Sequence, residues 1–294
     1  MTKEAPVPRF PIDSEVIRLI QIAIYEDLGS GDITTELTID RDTQAAARFV
    51  LKSDGVICGL PVLKLVFREF SNDVDLRVLV EEGSWNPAGT VIATIGGRAQ
   101  ALLGGERTAL NFIQRLSGVA TLTRRYADRL EGTKTRILDT RKTIPGWRLL
   151  DKYATVVGGA LNHRYGLYDM VMIKDNHITA MGGITEAVTR CVQELQGRSS
   201  IRIEVEARSL DEVREILQCE GVHRVMFDNF TPQQVAEGVR IVNGRLETEA
   251  SGGITYGNIR EYADAGVDFV SVGAITHSAA ALDISMKLFV PKQA

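Results

Sequence analysis

The sequence predicts an α/β protein in two parts: an α+β front portion with an antiparallel sheet, then an incomplete or distorted β/α barrel. Three observations carry this. Up to about residue 97, short strand-like runs are divided by turns containing glycine and proline. From residue 135, six short apolar runs alternate with amphipathic stretches of helical period, the pattern of parallel strands joined by right-handed crossovers. All six runs end in polar residues or glycine, as barrel strands do where they deliver ligand groups at their C-terminal ends. Six or so units suit an incomplete barrel better than an open sheet, and an open doubly wound sheet is the alternative. No GxGxxG turn follows a first strand, so a dinucleotide site is unsupported.

Taken in order, Asp13 is an N-cap for a helix carrying Val16, Ile17, Leu19, Ile20, Ile22, Ala23 and Ile24, which stops near Leu28-Gly29 at GSGD. Strands follow at AAARFVLKS (45–53), GVICG (55–59), LRVLVEE (76–82) and TVIATIGG (90–97), with a short helix at LPVLKLVFREF and a turn at GSWNPAG. A long helix begins near Gly105-Glu106 and runs to about Leu130, with Leu110, Ile113, Leu116, Val119 and Leu122 at helical spacing; Gly118 marks a candidate break. The barrel strands are TRILDT (135–140), DMVMIK (169–174), IRIEVE (201–206), HRVMFD (223–228), RLETEAS (245–251) and VDFVSVG (267–273). SLDEVREILQC (209–219) and TPQQVAEGVRIV (231–242) are helices between them, and ISMKLFV is a strand that returns to the front portion.

Composition narrows the class. The 294 residues carry a formal net charge of -4, with 44% hydrophobic and 24% charged residues, ordinary for a soluble globular protein. No apolar run reaches the roughly 18–20 residues of a membrane span, and MTKEAPVPRF lacks the apolar region of a secretory signal. A pI near 5.7 without long basic runs argues against nucleic acid as a partner. Cys58, Cys191 and Cys219 have neither CxxC spacing nor a histidine at metal-ligand spacing, which predicts reduced thiols in a cytosolic protein.

Against that acidic background, residues 139–177 gather Arg141, Lys142, Arg148, Lys152, His163, Arg164, Lys174 and His177, interleaved with Asp139, Asp151, Asp169 and Asp175. Local cations on an anionic chain suggest a site for an anionic small molecule. The strand ends are more informative than the count. They deliver Asp139 before Thr140-Arg141-Lys142, then Lys174-Asp175, Glu204 with Glu206 on one face, Asp228-Asn229, Ser251-Gly252-Gly253, and Gly273-Ala274. The last two read either as backbone N–H cradles for a phosphate or as plain tight turns. Lys174 reads as a fixed cation, a buried Schiff-base amine, or a strand-end lysine reaching solvent. Arg141-Lys142 suits carboxylate or phosphate oxygens, or is a surface pair. His163-Arg164 lies in a loop before the second strand and on its own reads as structural. Glu206 and Asp228 suit ribose hydroxyls or water on Mg²⁺, or balance nearby cations; Glu204 reads as a balancing charge. His177 is a ligand or a helix cap, while His223 and His277 have no informative context.

Eight segments in order resemble one family: EDLGSGDIT (26–34), GERTALNFIQRLSGVAT (105–121), DTRKTIPGWR (139–148), NHRYGLYDMVMIKDNH (162–177), IEVE (203–206), MFDNF (226–230), SGGI (251–254) and VSVGAITHS (270–278). Over nearly its whole length the chain resembles quinolinate phosphoribosyltransferases. The resemblance implies a type II phosphoribosyltransferase fold: an N-terminal α/β sandwich (1–116), a distorted barrel (117–277), and a C-terminal segment (278–294) packed back on the sandwich. It implies transfer of phosphoribosyl from phosphoribosyl pyrophosphate to quinolinate with decarboxylation, giving nicotinate mononucleotide, pyrophosphate and CO2 in de novo NAD synthesis. It also implies a homodimer, or a higher oligomer of dimers, with sites at the subunit interface, Arg107 reaching into the neighbour's site. By the same resemblance, Arg141, His163, Arg164 and Lys174 hold the quinolinate carboxylates, and Lys142, beside Thr140, faces the pyrophosphate. Glu206 and Asp228 take ribose hydroxyls and Mg²⁺-linked water, and Ser251, Gly252, Gly253, Gly273 and Ala274 cradle the 5-phosphate. Lys142, Lys174, Glu206 and Asp228 are thereby the catalytic candidates. Ile144 and Trp147 stand where the family pattern has Thr and a smaller apolar residue. Alternative activities are transfer to another acceptor on the same fold, a Schiff-base aldolase using Lys174, and a non-enzymatic nucleotide-binding barrel.

Overall fold

Asp13 caps the first helix, α1 (Ser14–Leu28), as its position predicts: its carboxylate accepts from the Glu15 and Val16 amides at 3.0 and 2.9 Å. The helix stops at Gly29, whose φ of 53° is left-handed and cheap only for glycine. The computed structural model describes residues 7–195, 197 and 200–290. In it the chain forms two compact units: one up to Arg124 with Ile144–Gly159 and the segment from Ser278 on, the other Arg125–Thr143 with Ala160–His277.

The front portion continues with α2 (Ile33–Thr38), β1 (Gln44–Leu51), β2 (Gly55–Val56), α3 (Leu60–Phe70), β3 (Asp75–Val78), β4 (Trp85–Asn86), β5 (Val91–Arg98) and α4 (Ala99–Asp128). Next come β6 (Arg136–Leu138), α5 (Arg148–Val157), β7 (Val171–Ile173), α6 (Asp175–Met181), α7 (Ile184–Glu194) and β8 (Ile203–Ala207). The remainder is α8 (Leu210–Ile216), β9 (Arg224–Asp228), α9 (Pro232–Val242), β10 (Glu247–Ser251), α10 (Ile259–Asp264), β11 (Phe269–Ser271), α11 (Ala274–His277) and β12 (Ile284–Phe289).

In the first unit an antiparallel sheet runs β12-β1-β5-β3. Along β1, Ala45, Ala47, Phe49 and Leu51 alternate inward, the period-2 pattern of a strand with one buried face. They join Val62, Leu63, Val66 and Phe67 of α3 and Ile113 and Leu116 of α4 in one apolar core. The returning strand predicted at the C-terminus is β12, registered on β1 from Ala46 opposite Phe289 to Leu51 opposite Ile284.

Several local expectations change. The long helix starts earlier, at Ala99, and is unbroken at Gly118. A Cβ there would lie 2.0 Å from the Ala280 carbonyl oxygen, so this glycine allows close backbone approach instead of breaking the helix. The predicted GSWNPAG turn contains β4, and the strand predicted at 55–59 extends only over β2. The boundary expected at 116/117 falls inside α4, and residues 117–124 and 144–159 group with the first unit. Residues 1–6 and 291–294 of the expected front domain and returning segment lie outside the described residues. Trp147 stacks on Phe112 with ring centroids 4.6 Å apart, and the Ile144 amide donates to buried Asp151 at 3.2 Å. The two residues that depart from the family pattern are thus accommodated by packing and hydrogen bonding within the first unit.

The second unit holds a six-stranded parallel sheet in the order β6-β11-β10-β9-β8-β7. The first strand lies beside the last, and the order otherwise runs one way without reversal. An open doubly wound sheet reverses at a switch point; this circular order is a barrel's, cut between β6 and β7. At the cut, Leu161 makes an isolated parallel bridge to Leu138. Its amide donates to the Ile137 carbonyl at 2.8 Å, and the Asp139 amide donates to its carbonyl at 3.1 Å. Among the described residues, no helix is long and apolar enough to cross a membrane.

Candidate active site

Because side chains alternate along a strand, each barrel strand sends every second residue inward. The inward set is Met172 on β7, with Lys174 just past its end; Glu204 and Glu206 on β8; Arg224, Met226 and Asp228 on β9; and Glu249 and Ser251 on β10. Those nearest the C-terminal strand ends line a cavity of about 450 Å³, the size range of small-molecule sites. Thr140, Arg141, Lys142, His163 and Arg164 close it on one side, and Asn229, Gly252 and Gly253 on another.

Lys174 pairs with the Glu206 carboxylate. An ammonium engaged by a carboxylate is a fixed cation, which favours that reading of Lys174 over an amine nucleophile. Its backbone amide donates to His177 Nδ1 at 3.0 Å, so His177 caps α6. Lys142 is held through its backbone: its amide donates to Thr140 Oγ1 at 3.0 Å, and Thr276 Oγ1 donates to its carbonyl at 2.8 Å. Burial, then the like charge of Arg141, pulls the Arg164 guanidinium below its ordinary value. Two guanidinium groups close enough to repel form a ready site for a shared anion.

The glycine turns behave differently from one another. Gly252 and Gly253 have φ of 90° and 63°, and a Cβ on Gly252 would lie 2.2 Å from Asn229 Oδ1. Only glycine suits that turn, which places Ser251, Gly252 and Gly253 along the cavity wall. Gly273 instead makes room for Lys142, whose Cδ would lie 2.9 Å from an added Cβ. Gly273 and Ala274 are not among the lining residues of the cavity. Arg107 is exposed on α4 in the first unit and is not among them either.

One pleat below the pocket floor the barrel interior is charged. Glu204 and Glu249 are fully buried. Glu204 Oε2 lies 3.2 Å from His163 Nε2, and Glu249 Oε1 lies 3.6 Å from it. Arg224 Nη1 is 2.8 Å from Glu249 and 4.0 Å from Glu204, and its guanidinium sits 4.2 Å from the Phe269 ring centroid. Burial pushes Glu204 up to about 7 against the pull of Arg224. Burial and then the Glu204 charge push Glu249 up to about 7. Two carboxyls this close in a dry interior favour sharing a proton over ionising together.

Sequence reasoning missed the lining residues Met172, Met226 and Ser271, and gave Asn229 a strand-end position but no role. Met172 and Met226 stand two before Lys174 and Asp228, so strand alternation was a usable signal. Glu249 had the same signal, two residues before Ser251. The deeper role of His163 had none, since it depends on contacts across the barrel.

Two sequence profiles cover the chain: quinolinate phosphoribosyl transferase, N-terminal domain, over residues 32–117, and its C-terminal domain over residues 119–287. The chain is 40% identical over 286 residues to quinolinate phosphoribosyltransferase [decarboxylating] 1b of Nicotiana tabacum, covering 92% of this chain and 81% of that one. It is 41% identical over 269 residues to a probable nicotinate-nucleotide pyrophosphorylase [carboxylating] of Bacillus subtilis, covering 92% of each. Among solved structures, NadC from Streptococcus pyogenes matches with a TM-score of 0.90 at 36% identity, over 94% of this chain and 96% of that one. The nicotinate-nucleotide pyrophosphorylase from Francisella tularensis matches with a TM-score of 0.89 at 38% identity, over 94% and 96%. With both domain profiles matched in order and the circular barrel in place, the chain belongs to the quinolinate phosphoribosyltransferase family.

Proposed function

We propose that this chain transfers phosphoribosyl from phosphoribosyl pyrophosphate to quinolinate with loss of CO2, yielding nicotinate mononucleotide and pyrophosphate. One observation carries the reading within the site: Arg141, Lys142, Arg164 and Lys174 converge on a single cavity whose floor is Glu206 and Asp228. Four cations suit substrates that bring two carboxylates, a pyrophosphate and a phosphate. Arg141, Arg164 and Lys174 form the carboxylate wall; His163 lines the cavity beside them, but both its ring nitrogens are turned to other partners. Lys142, beside Thr140, faces the leaving pyrophosphate, and Ser251, Gly252 and Gly253 receive the 5-phosphate.

Displacement at the anomeric carbon passes through an oxocarbenium-like state. Positioning the ring nitrogen and stabilising the departing pyrophosphate supply the acceleration, without a general base. Glu206 and Asp228 stand where they can hold ribose hydroxyls and offset the developing positive charge. They are also hard oxygen donors that suit Mg²⁺ through bridging water, and the ion, when bound, neutralises pyrophosphate charge. Once ribosylated, the ring nitrogen is a cationic electron sink; the adjacent carboxylate leaves as CO2 when oriented and desolvated, and the ring carbon, left with the bonding electron pair as an ylide, takes a proton from solvent.

A homodimer with shared sites belongs to the same proposal, Arg107 entering the neighbour's cavity, as does a cytoplasmic location. Mixing Arg107→Ala with Lys174→Ala subunits should restore activity; mixtures as inactive as either parent would argue against sharing. The function itself is tested by following nicotinate mononucleotide formed from quinolinate, phosphoribosyl pyrophosphate and Mg²⁺. Turnover of nicotinate without CO2 release would replace this reading with transfer to another acceptor.

A further inference from the structure

We infer that Glu204 and Glu249 are positioning residues of this site, locking His163 in one tautomer and orientation so that Arg164 is aimed into the carboxylate wall. The inference rests on the function proposed above and adds two residues that do not themselves touch substrate. His163 lies on the segment that crosses the open seam between β6 and β7, where Leu161 supplies the isolated strand bridge. Such a segment lacks a continuous ladder and needs other anchors.

His163 is hydrogen-bonded at two atoms and faces the barrel interior with a third. Its backbone amide donates to Asp139 Oδ1 at 2.8 Å. Its Nδ1 accepts the Arg164 amide at 2.6 Å. Its Nε2 points into the barrel, 3.2 Å from Glu204 and 3.6 Å from Glu249. A nitrogen that accepts a backbone N–H carries no proton, and one facing two carboxyls is a donor, so the ring is the Nε2–H tautomer. The next residue is Arg164, whose amide is one of those anchors and whose Nη1 donates to the Met170 carbonyl at 3.2 Å. Orientation of the imidazole therefore passes directly to the arginine.

One of the two carboxyls is itself fixed. Arg224 holds Glu249 at 2.8 Å and lies 4.0 Å from Glu204. Ligand atoms of His163, Glu204 and Glu249 lie within 4.8 Å of one another, a spacing that would also suit a metal ion. The Arg224 guanidinium already supplies the cation there, and a further divalent charge beside it would be repelled. The cluster is a mount for the histidine, equivalent to the carboxylate partner that orients a histidine in many sites.

Two measurements test this. Long-range ¹⁵N–¹H correlation of the histidine rings in the unliganded protein should show His163 protonated at Nε2 and bare at Nδ1. The opposite tautomer would overturn the inference, and this readout does not depend on what reaction is catalysed. Glu204→Met removes the acceptor, while Glu204→Gln keeps an oxygen for Nε2–H. Glu204→Met should raise KM for quinolinate about ten-fold or more, with a much smaller change for phosphoribosyl pyrophosphate, and Glu204→Gln should recover most of the loss. Equal rises for both substrates, or no recovery with Gln, would mean a merely structural role. Should Glu204→Met not fold, the wild-type tautomer and the Glu204→Gln constants still decide. If no quinolinate turnover is found but the tautomer is as stated, the proposed function fails and the mount stands.

Discussion

The two units solve the problem of an interior in opposite ways. The first is filled with carbon: Phe49, Phe67, Ile92, Phe112 and Ile113 are buried among other apolar side chains. The barrel spends much of its inside on charge, with Lys174, Glu206 and Asp228 around the cavity and Glu204, Glu249, Arg224 and His163 beneath it. An apolar interior is held by packing and tolerates no hole. A charged one is held by pairing, and its members are costly to bury unless each partner is present. The difference teaches that damage to the first unit should register as lost stability, and damage to the barrel's inward face as lost binding or altered pH response.

The largest effect expected from this contrast is on packing. Phe67→Ala in the first core should cost about 3–5 kcal/mol, read as a lower urea midpoint, with substrate affinities of the folded fraction unchanged. A loss of quinolinate affinity at full stability would break the comparison. Next is Lys142→Ala at the cavity, expected to weaken phosphoribosyl pyrophosphate binding by about 1.5–3 kcal/mol and quinolinate much less, by calorimetry on each ligand. Equal losses would remove the assigned role.

A smaller effect separates the interiors by pH. Folding favours the protonated form of Glu249, pushed up to about 7 by burial and by Glu204. Its contribution is full below the ordinary carboxyl range and is lost as pH rises through about 7. Glu249→Gln should therefore flatten the fall in stability between about pH 5 and pH 8, by on the order of 1–2 kcal/mol at the upper end. Parallel pH profiles for the two proteins would show that this carboxyl does not titrate in the fold. Smallest is Asp13→Ala, which strips the α1 cap and should cost about 1 kcal/mol in thermal or urea unfolding without touching KM.

Much of this was legible from residues in a row. Asp13 and Gly29 bracket α1 because capping and left-handed φ are local chemistry; five of the six barrel strands lie within the segments read for them, and β8 runs one residue past its own, to Ala207. Most of the site was legible too, since strand ends in a barrel converge: Lys174, Glu206, Asp228 and Ser251 line one cavity. What stayed hidden has a physical cause. Every residue of β8 is buried, so the alternation that puts Glu204 and Glu206 on one face does not tell which face is inward. Glu204 could be read only as a balancing charge, and Glu249 drew no notice. Gly118 illustrates the same limit in the first unit: a glycine in a helix reads as a break until the neighbouring backbone is seen to need the space.

The sequence by itself determined the segments, their caps and turns, the cations at strand ends and the family, because these depend on neighbours along the chain and on motifs in order. The tertiary structure alone decided that β6 lies beside β11, that the seam falls between β6 and β7, and that His163 reaches two glutamates inside the barrel. Those facts depend on register and closure, which bring together residues distant in sequence and leave no periodic trace in the chain.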